Sequence, residues 1–160
     1  MGFFNQLFNL DKFDAASSQQ PASINAPSEM GLDAQTVELV LAEIDVDAAI
    51  DSHENWKEQL QSVLDGQPSY LLPINVACHD NYCALGKWLH GAGSQRFAHY
   101  PAFSALTSRH RDFHIEAAKV LTYAQGGDME KARETLGGSY RLASSQIVLL
   151  LKELKRSLRH

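Results

Sequence analysis

Residues 102–124, AFSALTSRHRDFHIEAAKVLTYA, decide the fold class of this chain. Apolar side chains and one histidine recur there in alternating steps of three and four residues, at Phe103, Leu106, His110, Phe113, Ala117, Val120 and Ala124. This spacing places all of them on one face of an α-helix, whereas a strand would need a two-residue alternation. The stretch therefore predicts a long amphipathic helix, with His110 on its buried face and His114 one turn later.

The same pattern predicts three further helical segments. Asp33 is a suitable N-cap for a helix of about 30 residues, because apolar positions continue at helical steps as far as Leu64. A second segment runs from about Asn75 to His90, and a fourth begins after the Gly126-Gly127-Asp128 stop and continues to Leu158. No stretch alternates as a strand does. The prediction is an all-α protein, an antiparallel four-helix bundle.

The N-terminal residues differ in composition from the rest of the chain. Residues 1–31 combine a short amphipathic segment rich in phenylalanine, ending at Phe13, with a stretch rich in Ser, Gln, Ala and Pro. They are predicted to be a flexible tail, with the aromatic segment available for docking, and residues 32–160 to form the helical bundle.

Charge is distributed unevenly along the chain. Residues 1–65 carry 12 acidic and 2 basic groups, whereas residues 66–160 carry 7 acidic and 12 basic groups. The net charge of −5 disfavours nucleic acid as a partner, because a phosphate backbone requires a concentrated basic face. We expect oppositely charged helix faces to attract one another across the bundle.

Other features predict a soluble, cytoplasmic protein. No apolar run approaches the roughly 20 residues of a transmembrane helix. The first residues, Met1 to Phe8, lack the basic region of a secretory signal. Cys78 and Cys83 are five residues apart and would point in different directions on one helix, so free or metal-bound thiols are expected in place of a disulfide.

Three histidines and one cysteine form a candidate metal site. His53 lies three residues before Trp56 on an apolar stripe, and His110 and His114 project from one face of the third helix. Cys83 begins the stretch Cys83-Ala84-Leu85-Gly86-Lys87-Trp88-Leu89. A thiolate with three imidazoles suits tetrahedral Zn²⁺, which accepts sulfur and nitrogen donors equally well.

Neighbouring residues receive supporting roles in this interpretation. Trp56, Trp88 and Phe113 are predicted to pack around the site, and Gly86 to give the backbone local freedom. Cys78 is predicted to be a small buried side chain or, alternatively, a thiol that resolves oxidised Cys83. His79 and Asp80 form a further candidate pair that could support the ligands.

These residues resemble a known family. The pattern His53-x-x-Trp56, Cys83-x-Leu85-Gly86-x-Trp88-Leu89 and His110-x-x-x-His114, with gaps of 30, 27 and 4 residues between successive candidate ligands, is similar to the bacterial chemoreceptor zinc-binding domain. The resemblance implies that His53, Cys83, His110 and His114 bind one Zn²⁺ in a bundle core, often in a homodimer. It also implies a sensory role, in which Cys83 is released or oxidised upon zinc loss or exposure to hypochlorous acid.

Resemblance to this family raises the question of how a signal leaves the domain. The 160 residues contain no methyl-accepting coiled coil and no cyclase segment, so the expected partner is a signalling protein in trans, a chemoreceptor or a cyclic-di-GMP enzyme. A structural-zinc scaffold without sensing is the main alternative. A zinc hydrolase, with Glu54 or Glu116 as base, is a weaker one, and a phosphotransfer, di-iron or haem bundle weaker still, so no enzymatic activity is predicted.

Overall fold

The computed structural model describes residues 33–67 and 74–159, and throughout these two ranges the chain is helical or irregular, without a strand. The first helices are α1 (Ala34–Glu43), α2 (Val46–Leu64), α3 (Ile74–Ala77), α4 (Ala84–His90) and α5 (Ala92–Phe97). They are followed by α6 (Pro101–Gln125), α7 (Met129–Thr135), a π-helical turn (Leu136–Tyr140) and α8 (Arg141–Ser157). The predicted N-terminal tail lies outside the described residues. None of the helices in the two ranges combines the length and the apolar character needed to span a membrane.

The predicted first helix is two helices. Asp33 caps α1 as expected by accepting a hydrogen bond from the Thr36 amide at 2.7 Å. At Ile44 the backbone becomes extended (φ −144°, ψ 132°), and Asp45 then caps α2 by accepting from the Ala48 amide at 2.9 Å. Because Ile44 is itself buried, the apolar periodicity continues across the break, and the prediction of one continuous helix was wrong.

The predicted second segment is also divided. Helix α3 ends at Ala77, and α4 starts only after Cys83, whose Sγ accepts a hydrogen bond from the Gly86 amide at 3.2 Å. A continuous helix from Asn75 to His90 is therefore wrong. The irregular residues between the two short helices place Cys83 at a helix N-terminus, a position from which its sulfur faces the protein interior.

The last two long segments follow the prediction closely. Helix α6 begins with Pro101 at its first turn, and Gly127 after it adopts φ 80°, a left-handed conformation that glycine tolerates best. Asp128 then caps α7 by accepting from the Lys131 amide at 3.2 Å. From Met129 to Ser157 the chain is continuously helical, with the π-helical turn in its middle.

The core lies where α2, α6 and the α7–α8 helix meet. Helix α6 packs against α7 and α8, α2 packs against α8, and α3 lies on α6. The largest fully buried apolar side chains come from α2, α4, α6, the π-helical turn and α8, and include Tyr140, Phe113, Leu60, Leu85, Leu89, Leu121, Ile147 and Leu151. Two ion pairs, Lys152 with Glu54 and Lys155 with Asp47, join the basic end of α8 to the acidic start of α2, as the charge distribution predicted.

Candidate metal centre

Four donor side chains from three helices meet inside this core. One ligand atom each of His53, Cys83, His110 and His114 lies within 4.8 Å of the others, which makes them the one such histidine, cysteine or carboxylate group among the described residues. The three histidines expose 1%, 0% and 2% of their surface, whereas Cys83 is only partly buried. The site therefore has a buried imidazole side and a more accessible sulfur side.

The spacing of the donor atoms fits one tetrahedral ion. Cys83 Sγ lies 3.2 Å from His110 Nε2 and 3.8 Å from His114 Nε2, and the two Nε2 atoms are 3.2 Å apart. Donors around a tetrahedral zinc with Zn–S and Zn–N bonds of about 2.3 and 2.0 Å stand roughly 3.3–3.6 Å apart. The three observed distances lie close to this range, and the His53 donor lies within 4.8 Å of the other three.

Backbone carbonyls orient two of the imidazole rings. His53 Nδ1 donates to the Ala49 carbonyl at 2.6 Å, and His114 Nδ1 donates to the Ala77 carbonyl at 2.8 Å. Because a carbonyl oxygen only accepts, Nδ1 carries the proton in both rings and Nε2 keeps its lone pair for the centre. His53 Nε2 is buried and has no hydrogen-bond partner in the described part of the chain, as expected of an atom that binds a metal ion.

Burial keeps the three imidazoles neutral. Desolvation lowers the pKa of His53 to about 4 and that of His110 to about 2, with repulsion from neighbouring histidines adding to both. The pKa of His114 is also lowered by burial, although the hydrogen bond to Ala77 and the charge of Asp80 act in the opposite direction. At neutral pH all three histidines can therefore offer a lone pair to a cation.

The pKa of Cys83 is shifted upward, in contrast to those of the three histidines. Burial raises the pKa of its thiol, and the hydrogen bond from the Gly86 amide opposes this effect. The metal-free thiol is thus protonated at neutral pH, whereas a bound divalent cation would hold it as thiolate. The arrangement is suited to binding a metal ion with release of one proton.

Gly86 lies at a close contact with the preceding loop, which the sequence did not predict. It is buried within α4, and a Cβ atom added there would lie 1.6 Å from the Asp80 carbonyl oxygen. The glycine permits close contact between α4 and the preceding loop, and that contact positions the Cys83 sulfur. The predicted backbone freedom at Gly86 stays a prediction.

The predicted aromatic residues divide into two groups. Trp56 and Phe113 line the site, with ring centroids 5.8 Å from His114 and 4.9 Å from His53, respectively. The Trp88 ring instead packs on Phe103, at 5.6 Å, and its indole N–H donates to Glu43 Oε2 at 3.0 Å.

Cys78 and its neighbours also differ from expectation. Cys78 is exposed, so the prediction of a small buried side chain was wrong. Its Sγ lies 3.3 Å from His79 Nδ1, and the His79 ring stacks on Tyr82. Asp80 contacts His90 at 3.1 Å, and its negative charge raises the pKa of both His114 and Cys83. Because helix α3 ends at Ala77, residues 78–82 form an irregular loop before Cys83.

One of the two orienting carbonyls had no clear signal in the sequence. The carbonyl of Ala49 follows from helical geometry, since it precedes His53 by four residues, but the Ala77 carbonyl depends on the tertiary packing of α3 against α6. The carboxylates considered for hydrolysis are engaged elsewhere. Glu54 pairs with Lys152, and Glu116 accepts hydrogen bonds from Lys119 and Ser139.

Comparison with known proteins agrees with this geometry. Residues 53–121 match the family model of the chemoreceptor zinc-binding domain, a range that begins at His53 and includes all four donors. Neither the curated proteins nor the solved structures gave a match to the chain. The family and the donor set together identify zinc as the metal of this centre. Residues 53–121 of this chain belong to the chemoreceptor zinc-binding domain family.

Proposed function

We propose that His53, Cys83, His110 and His114 bind one Zn²⁺ and that the domain is a sensory or regulatory module, which responds to zinc availability or to oxidation of Cys83. The observation that carries this proposal is the convergence of four donor atoms within 4.8 Å in the core. Four protein ligands would saturate the ion and leave no position for a catalytic water, which argues against a zinc hydrolase.

The site would act as a cross-link within an antiparallel four-helix bundle. We place α2, the α3–α4–α5 region, α6 and the α7–α8 helix at the four positions, so that zinc connects the first three. Structural zinc sites contribute on the order of 10–16 kcal/mol of apparent binding energy, which is comparable with the net stability of a whole domain. Metal occupancy can therefore determine which conformation of α4 is populated.

Cys83 is the ligand through which we expect the domain to respond. It is more accessible than the three buried histidines and is the ligand that can be oxidised. Hypochlorous acid would convert the zinc-bound thiolate to a sulfenic acid, with chloride as the reduced product, and the neutral sulfur would no longer hold the metal. Such chemistry requires a reduced thiol at rest, which supports a cytoplasmic location.

Metal analysis of purified variants tests the ligand assignment. We expect one zinc per chain in the unmodified protein and strongly reduced zinc in Cys83→Ser and His110→Ala. The matched controls are Cys78→Ser, an exposed cysteine, and His99→Ala, an exposed histidine, which should both retain the full amount. Full retention of zinc in either ligand variant would refute the assignment.

A second experiment separates a sensor from a structural-zinc scaffold. Stoichiometric hypochlorous acid is added to the zinc-loaded protein, and zinc release is followed with a chromogenic chelator while circular dichroism reports helix content. A sensor releases zinc at low oxidant and stays largely helical, and the Cys78→Ser variant, which keeps all four donors, responds in the same way. A scaffold retains zinc until the helices themselves are lost.

Partners follow from the same proposal. We propose that the module forms a homodimer and acts in trans on a signalling protein, such as a chemoreceptor or a cyclic-di-GMP enzyme, with the aromatic segment in residues 1–13 as a docking element. The molar mass from size-exclusion chromatography with light scattering tests whether the protein is a dimer. Deletion of residues 1–30 should preserve zinc binding and weaken the interaction with the partner, whereas loss of zinc upon deletion would contradict separate roles.

A further inference from the structure

Helix α1 is attached to the rest of the protein by few apolar contacts. Val40 is the one buried residue within α1, and Ile44, directly after the helix, is buried as well. Leu39 and Leu41 on the same helix are 39% and 57% exposed. An element with so little buried surface lies at the low-stability end of a structure. Its attachment therefore depends strongly on the polar contacts at its C-terminal end.

Glu43, the last residue of α1, makes those contacts. Its Oε2 accepts a hydrogen bond from the Trp88 indole N–H at 3.0 Å, and its Oε1 forms an ion pair with Arg96. The Glu43 side chain is only 19% exposed and Trp88 is buried, so their hydrogen bond is shielded from water, whereas Arg96 is 42% exposed. Glu43 thus joins α1 to α4, through Trp88, and to α5, through Arg96.

The position of Trp88 depends in turn on the metal centre. Trp88 lies in α4, a helix of seven residues whose N-cap is Cys83. Gly86, between Cys83 and Trp88, lies so close to the Asp80 backbone that the first turn of α4 cannot approach the preceding loop any further. We expect so short a helix to move as one body. A displacement of the Cys83 sulfur would therefore move the Trp88 indole relative to Glu43, and the hydrogen bond requires close alignment.

We propose that α1 is a strap whose docking reports zinc binding, and that the contacts of Glu43 with Trp88 and Arg96 are the coupling element. This inference rests on the proposed function, because it requires Cys83 to be a zinc ligand. With zinc bound, α4 is fixed and α1 is docked. When zinc leaves, Cys83 and α4 shift, the contacts of Glu43 are lost, and α1 is released from the bundle. The signal would thus leave the domain through the segment that precedes α2.

Amide hydrogen exchange on the full chain tests the strap. Exchange of residues 34–43 is compared with that of α6, with and without a zinc chelator, and zinc content and affinity are measured on the same samples. In the unmodified protein, chelation should accelerate exchange in α1 far more than in α6. In Glu43→Gln, which keeps the shape and removes the charge, α1 should exchange quickly even with zinc bound. Because coupling is reciprocal, the variant should bind zinc about fivefold or more weakly.

Lys152→Gln is the matched control, since it removes another ion pair between helices, with Glu54, without touching α1 or α4. It should resemble the unmodified protein in both exchange and zinc affinity. The strap is refuted if α1 exchange in the zinc-bound Glu43→Gln variant equals that of the control. It is equally refuted if chelation changes α6 as much as α1. Absence of zinc from the unmodified protein would instead refute the proposed function.

Discussion

At the scale of single residues, Gly86 tests how tightly the Cys83 sulfur is positioned. A methyl group there would meet the backbone of Asp80, which cannot rotate away as a flexible side chain could. We expect Gly86→Ala to lower the free energy of unfolding by about 1–3 kcal/mol and to weaken zinc binding. Urea unfolding and zinc titration measure the two effects. Gly137→Ala is the control, because its Cβ would meet nothing within 4 Å, and it should be neutral or slightly stabilising.

The protonation states of the individual ligand residues determine how zinc binding depends on pH. The pKa values of about 4 for His53 and about 2 for His110 mean that neither ring holds a proton at mildly acidic pH. The raised pKa of Cys83 leaves its thiol as the main group that must lose a proton when zinc binds. Protons therefore compete with zinc at one ligand, and affinity rises with pH until the thiol ionises.

We accordingly expect the apparent zinc affinity to increase about tenfold per pH unit between roughly pH 5.5 and 7.5. The measurement is a series of titrations with a competing chelator of known pH dependence, together with calorimetry in two buffers to count released protons. One proton per zinc is the expected number. A count of two or more would show that buried histidines are protonated in the metal-free protein.

Among the elements, the π-helical turn between α7 and α8 is the most unusual. It inserts an extra residue into the helical path, so that Leu136 at its start and Tyr140 at its end are both buried. Tyr140 is fully buried, and its ring packs on Phe113 at 5.5 Å, which in turn contacts His53. The turn is thus connected to the metal centre through the ring contacts of Tyr140 with Phe113 and of Phe113 with His53.

Deletion of Gly138 should convert this turn to regular α-helix and rotate α7 relative to α8 by about 100°. Leu136 and Tyr140 could then not both remain buried, and we expect a loss of about 3–5 kcal/mol in the free energy of unfolding. Urea unfolding measures it, with Gly138→Ala as the control of unchanged length. An unchanged midpoint in the deletion variant would show that the extra residue is not needed for packing.

The elements also show what the sequence could and could not predict. Helix α6 and the buried positions of His110 and His114 were predictable, because the repeat of apolar residues extends over many turns. The break at Ile44 was not, because a buried residue there maintains the helical pattern while the capping carboxylate of Asp45 interrupts the helix. The cap at Cys83 was hidden for a related reason. Its sulfur takes the place of a serine or aspartate oxygen, and cysteine is not a residue from which a cap is normally inferred.

For the whole molecule, the apolar core extends well beyond the residues that line the metal centre. Leu121, Ile147 and Leu151 of α6 and α8 are fully buried apolar side chains, and α6 packs against both α7 and α8. Cys83, by contrast, lies within residues 74–97, where the three helices α3, α4 and α5 are four, seven and six residues long. The protein therefore combines a part held by its own packing with a part whose order depends more on zinc.

Chelation of zinc should affect these two parts differently. We expect the protein to keep most of its helical circular dichroism signal at 25 °C, because α2, α6 and α8 retain their apolar contacts, and to lose order in residues 74–97, where zinc fixes Cys83. The thermal midpoint should fall by tens of degrees, and amide exchange should locate the change. Cys83→Ser without chelator should reproduce the same pattern. A uniform loss of protection in all helices would show instead that zinc binding and folding of the whole domain are one transition.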